Sequence, residues 1–212
     1  MEDLKTLYTA IVEGDAKTAK AVAEAAIVAG VPPQQLLNET MIPAMDEVGR
    51  LFEENEYFVP ELLISARAMK WALEVVKPHL IAGGAQPAGR VAIGTVKGDL
   101  HDIGKNLVAA MLEGGGFEII DLGVDVGAEQ FLEAFRARQV NIVALSALLT
   151  TTMPSMKQII DEFKAAGVRD QVKIIVGGAP VTAEYAGEIG ADGYSENASS
   201  AVTLARSLVG AG

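Results

Sequence analysis

His101, with Asp99 two residues before it, is the side chain in this sequence best placed to do chemistry. An imidazole held at one ring nitrogen by a carboxylate keeps the other nitrogen free as a metal ligand or proton carrier. A second reading stands beside this one: a loop at a helix start in which Asp99 or Asp102 caps and His101 merely packs. The other histidine, His79, follows Pro78 near the end of a predicted helix and reads as a solvated C-terminal residue. The absence of cysteine excludes disulfides, thiolate metal sites and cysteine nucleophiles together. Acidic residues are scattered rather than paired, so no general acid, base or nucleophile for activating a substrate is visible.

The elements that must position this pair divide the chain in two. From Glu2 to about Ile81 the pattern is helical. Asp15 is an N-cap for a helix ending before Gly30, Pro32 and Pro33 suit the first turn of the next, and a third helical stretch is interrupted at Pro43. Pro60 opens another, on which Leu62, Ala66, Met69, Leu73 and Val76 form one apolar stripe. Four such helices make a small bundle. The uncharged run AGGAQPAG, residues 82–89, reads as a flexible connection, giving domains of residues 1–87 and 88–212. Beyond it RVAIGTV, FEIIDLGV, VNIVALSAL, VKIIVGGA and ADGYS read as strands, each followed by a helical stretch. That alternation predicts a parallel sheet with helices on both faces and a ligand site beyond the carboxyl ends of its strands. His101 lies at such an end, within GTVKGDLHDIGKN of residues 94–106.

Composition sets outer limits. Half the 212 residues are apolar, 21% are charged and the mean hydropathy is +0.28, so the chain can bury a real core. A net charge of −11 repels a phosphate backbone and excludes nucleic acid as the expected partner. The N-terminus lacks a basic segment followed by an apolar one, and no apolar run approaches the ~20 residues that span a bilayer. A cytoplasmic protein without a membrane anchor is expected.

Three chemistries compete for the loop around His101. A phosphate cradle built on Lys97, Gly98, Gly104 and Lys105 fits neither glycine-rich spacing known for that purpose. HDIGK resembles the His-Asp pair of the HD phosphohydrolases, but a multi-histidine metal centre cannot be assembled with His79 as the only other histidine. The third reading is one histidine ligating a metal that brings its other ligands with it, as in a macrocycle. Asp99-Leu100-His101-Asp102-Ile103-Gly104 resembles the D-x-H-x-x-G signature of cobalamin-binding domains. Ser146-Ala147-Leu148 at the third strand end and Gly177-Gly178 at the fourth continue that signature in order. Residues 41–73, MIPAMDEVGRLFEENEYFVPELLISARAMKWAL, resemble the helical cap that precedes it in methyl-transferring corrinoid proteins. Nearly the whole chain is covered, and it is similar to the corrinoid subunits of methanol and methylamine methyltransferase systems and to the central modules of methionine synthase.

The resemblance implies an N-terminal four-helix bundle cap followed by a Rossmann-like (flavodoxin-like) five-stranded parallel sheet. It implies cobalamin or another corrinoid as cofactor, cycling between Co(I) and methyl-Co(III) (methylcobalamin) with occasional oxidation to Co(II), and His101 as the axial ligand to cobalt. Asp99 becomes the partner of that histidine, and Thr152 keeps the hydroxyl of a proton relay. Gly104, Gly177 and Gly178 leave room for the cofactor's tail, Ser146 binds its base, and Leu148 and Thr150 line the slot. Tyr194, Ser195, Glu196, Asn197 and Ala198 touch the tail or the corrin rim. Phe58 and Leu62 shield the upper face, or else belong to the bundle core, a reading that fits Leu62 on its stripe. The implied function is that of a methyl carrier between a donor-specific methyltransferase and an acceptor-side one that uses a folate or a thiol. The cap then swings about residues 82–89, and a reductive activase restores oxidised cobalt. Methanol, methylamines, betaines and aromatic methyl ethers all stand as donors. A cobalamin-dependent sensor is the alternative from another class; an adenosylcobalamin mutase subunit would lack the cap, and an apo-scaffold would bind no corrin.

Overall fold

Apolar side chains recurring every three or four residues make the first 82 residues helical, and runs rich in β-branched residues make the strands that follow. The computed structural model describes residues 2–84 and 86–210; position 85 of the predicted connection and the chain ends at 1, 211 and 212 lie outside them. The chain forms two compact units, Met1–Pro87 with Glu113–Gly116, and Ala88–Leu112 with Phe117–Gly212.

The first unit contains α1 (Glu2–Val12), α2 (Ala16–Val28), α3 (Pro33–Leu36), α4 (Ile42–Glu53) and α5 (Val59–Ala82). Asp15 caps α2 by accepting the Thr18 N–H at 3.1 Å. Four buried alanines, Ala16, Ala19, Ala23 and Ala26, give α2 a flat face against α5, which buries Leu62, Ala66, Met69, Ala72 and Val76. Ser65, fully buried on α5, donates to the carbonyl of Val12 at 2.8 Å and so satisfies an oxygen that the end of α1 leaves open. Pro43 does not interrupt the third stretch as its sequence suggests. The chain widens into a π turn at Leu37–Met41, where the Ile42 N–H donates to Leu37 five residues back. The wider turn accommodates a ring that clashes with the carbonyl four residues earlier in a regular α-helix, so the helical path runs on into α4.

The second unit alternates β1 (Arg90–Thr95), α6 (Ile103–Gly114), β2 (Glu118–Asp121), α7 (Ala128–Arg138), β3 (Ile142–Ser146), α8 (Pro154–Ala165), β4 (Lys173–Gly177), α9 (Ala183–Ile189), β5 (Gly193–Ser195) and α10 (Ala198–Val209). All five expected strands are present in one parallel sheet of order β2-β1-β3-β4-β5. Successive strand residues face opposite sides. Ala92, Val143, Leu145, Ile174 and Val176 join Phe131, Met156, Ile160 and Phe163 in one core, while Val91, Ile93, Ile142, Ala144 and Ile175 are buried on the other side. The strand order reverses between β1 and β3, where Thr95 stands beside Ser146. The crevice at their carboxyl ends is the place where this topology takes ligands.

Candidate functional site

Beyond β1 the chain turns through residues 96–102 before α6 begins. Asp99 is fully buried in that turn, and both of its oxygens are used. Oδ1 accepts the His101 N–H at 3.1 Å and lies 2.7 Å from His101 Nδ1. Oδ2 accepts the N–H groups of Leu148 and Leu149 at 2.8 and 3.2 Å and the Thr152 hydroxyl at 2.7 Å, all from the turn after β3. Burial alone pushes the carboxyl up. The Leu148 amide, His101 and Thr152 together outweigh it and hold the group well below the usual carboxylate range. An ionised Asp99 can only accept, so Nδ1 carries the ring proton and Nε2 keeps its lone pair. The imidazole is 50% exposed, and the hydroxyl of buried Thr95 fixes its backbone by donating to the His101 carbonyl at 2.8 Å.

The geometry fits the reading in which a carboxylate holds one ring nitrogen of His101. Asp99 spends no bond on capping α6, whereas Asp102 accepts the Asn106 side chain at 3.1 Å in the first turn of that helix. The phosphate reading loses its cations: Lys97 pairs with Asp125 at 3.0 Å, and buried Lys105 pairs with both oxygens of Asp121 at 2.5 and 2.6 Å. Among the described residues no cluster of three or more histidines and carboxylates could hold a metal ion. An ion ligated by His101 therefore brings most of its ligands along, as a macrocyclic complex does.

The strand ends bring most of the other expected residues to the same side of the sheet. Leu100 and Ile103 flank His101 and are among the most exposed apolar side chains of the unit; Leu148, Leu149 and Val124 are exposed at the ends of β3 and β2. A β-carbon on Gly104 would meet nothing within 4 Å, so open space adjoins the helix start where a tail has to pass. Ser146 ends β3 with, among the described residues, no hydrogen-bond partner for its hydroxyl, and Thr150 is exposed. These features fit a corrin face above His101 and a slot beside it.

The other two glycines lie against the chain itself. Gly178 has φ 128°, and a β-carbon there would overlap the carbonyl of Ala147; one on Gly177 would come within 3.2 Å of the Ser195 carbonyl. Close approach of the chain to itself already demands glycine at 178 and makes a β-carbon at 177 a tight fit. Tyr194 is half-buried against the core, Glu196 is exposed, Asn197 caps α10 by accepting the Ser200 N–H at 2.8 Å, and Ala198 is buried in its first turn. In the helical unit Phe58 is 60% exposed and Leu62 is fully buried. Sequence reasoning missed Thr95, the two amides after β3, and Asp125 with its partners.

Comparison with known proteins agrees with this geometry. Two family models, each described as a B12 binding domain, match residues 3–77 and 89–203. Trimethylamine corrinoid protein 1 of Methanosarcina acetivorans is 44% identical over 202 residues, 94% of either chain. This chain belongs to the family of B12-binding corrinoid proteins. A corrinoid protein of Desulfitobacterium hafniense is 37% identical over 99% of both chains. The crystal structure of the methanol:cobalamin methyltransferase complex of Methanosarcina barkeri matches all of this corrinoid protein and 81% of that chain, with 31% identity and a TM-score of 0.87. The family's cofactor is cobalamin or a related corrinoid.

Proposed function

We propose that this corrinoid protein is a methyl carrier in which His101 Nε2 would ligate the cofactor's cobalt. The carrying observation is the 2.7 Å contact between His101 Nδ1 and a fully buried, fully hydrogen-bonded Asp99. When bound, the corrinoid supplies a cobalt that, as Co(I), takes a methyl group from a donor-specific methyltransferase and hands it to a second one. Asp99 orients the imidazole, and Thr152 and the amides of Leu148 and Leu149 keep Asp99 in place. Gly104 leaves the tail its passage, Ser146 offers a hydroxyl to the buried base, and Leu148 and Thr150 line the same slot. Leu100 and Ile103 cover the lower corrin face from water. Tyr194, Glu196 and the start of α10 at Ala198 border the tail.

In the helical unit Phe58 is the exposed apolar candidate for cofactor contact, and Leu62 is assigned to packing. The names of the methanogen relatives favour a methylamine as donor. The acceptor-side enzyme uses a thiol or a folate, and a reductive activase rescues oxidised cobalt.

The test is reconstitution with hydroxocobalamin under reducing conditions, gel filtration, and measurement of the cobalt ratio and the visible spectrum. About one cobalt per chain, with an imidazole-ligated spectrum that His101→Ala abolishes, is expected. Spectra unchanged by that substitution overturn the ligand assignment. A colourless folded protein overturns the carrier function as well.

A further inference from the structure

The segment that presents Asp99 and His101 has a support outside its own loop. Asp125, in the turn after β2, accepts the Gly98 N–H through Oδ1 at 2.8 Å and pairs with Lys97 Nζ through Oδ2 at 3.0 Å. Its own N–H donates to the Asp99 carbonyl at 3.0 Å. Three consecutive residues are thereby tied to one residue from another loop. Gly98 turns the chain at φ 85°, and Asp125 holds φ 55°, a left-handed conformation that aspartate and asparagine tolerate better than most side chains.

The surroundings make this a strut rather than a chance contact. Val96 pairs with Val126 in parallel beyond the end of β1, the Thr95 N–H donates to Gly123, and the Val126 N–H donates back to Thr95, both at 2.9 Å. The two loops therefore continue the ladder of β1 and β2 up to the point where the turn toward His101 starts. From the other side Ser155 Oγ donates to the Lys97 carbonyl at 3.1 Å.

We propose that Asp125 is a positioning residue: by fixing the turn of residues 97–99 it holds the His101 imidazole in one orientation for cobalt. The proposal rests on the corrinoid reading of the site. The Gly98 amide first, and then Lys97, hold the Asp125 carboxyl below its ordinary range, so the acceptor stays ionised at neutral pH.

Two measurements test it on the full chain. The first needs no cofactor: amide hydrogen exchange at Gly98 in the apoprotein, followed by NMR for wild type and for Asp125→Asn, Asp125→Ala and Asp125→Gly. Asparagine keeps an acceptor for Gly98 and tolerates the positive φ, so exchange stays slow. Alanine loses the acceptor, and glycine loses it while relieving the backbone, so both exchange faster, by about fivefold for one lost hydrogen bond. The second measurement is the cobalt(II) electron paramagnetic resonance spectrum of ¹⁵N-labelled protein reconstituted with unlabelled cobalamin. Histidine then splits each line in two, and the cofactor's own base splits it in three. The ratio of two-line to histidine-off signal should be the same in wild type and Asp125→Asn and about fivefold lower in the other two variants.

A wild-type Gly98 amide that exchanges like an open loop, or one common rate and two-line fraction for all four chains, overturns the strut. Recovery in Asp125→Gly also overturns it, because backbone strain would then be the whole effect. A three-line spectrum in wild type sinks the histidine ligation instead, while the apoprotein exchange still decides the role of Asp125.

Discussion

Asp99 sets the tautomer of His101, and an amide in its place shows what that costs. In Asp99→Asn the single oxygen is claimed by the Leu148 and Leu149 amides and the Thr152 hydroxyl, and the NH₂ group turns toward Nδ1. The ring proton then moves to Nε2, and the nitrogen meant for cobalt loses its lone pair. We expect a folded protein that binds corrinoid without imidazole ligation, read from its visible spectrum, and that is about 3 kcal/mol less stable at pH 7. The depressed carboxyl adds a signature in pH. Its stabilisation is complete above the ordinary value of 3.8 and is lost as pH falls through the lower folded-state value. Thermal midpoints of wild type and Asp99→Asn should therefore converge as pH drops below that window; parallel curves would mean that the carboxylate is not the source. The Asp99 and His101 pair was legible because the residues are two apart in a recognisable string. Thr152 was legible through the resemblance, whereas Thr95 and Asp125 complete the site through contacts that one sequence does not display.

At the strand ends two glycines with like positions in the motif should respond in opposite ways. Gly104→Ala meets open space in the first turn of α6, so stability should hold or rise by up to ~1 kcal/mol while corrinoid affinity falls at least tenfold. Gly178→Ala puts a β-carbon into the Ala147 carbonyl at a φ that disfavours it, and should cost roughly 3 kcal/mol or more even without cofactor. Thermal unfolding of the apoproteins and cobalamin titration separate the two cases, and equal loss of stability in both would refute the distinction. Strand positions, the cap at Asp15 and the break before Pro60 were all readable from period and turn residues. The π turn before Pro43 was not. A proline signals that something must yield, and only the three-dimensional path shows that the helix widened instead of ending.

For the whole molecule, the parallel sheet follows from alternating strands and helices, whereas its order β2-β1-β3-β4-β5 is displayed only by the structure. Among the described residues no helix is long and apolar enough to cross a membrane. Binding to the native state alone should raise the unfolding midpoint, by about 2.7 kcal/mol of stability at a free corrinoid concentration one hundred times its dissociation constant. His101→Ala should shrink that increment; a midpoint insensitive to cobalamin would show that the crevice does not select it. Asp99 also has a kinetic side. The partners of its Oδ2 lie 49 to 53 residues away in the chain, so they meet only after β1 and β3 have paired. Receipt of the cofactor is then a late event on a surface already rigid: capture should be second order in protein and corrinoid, with no slow ordering phase, and should leave little conformational entropy to be lost at the moment of docking.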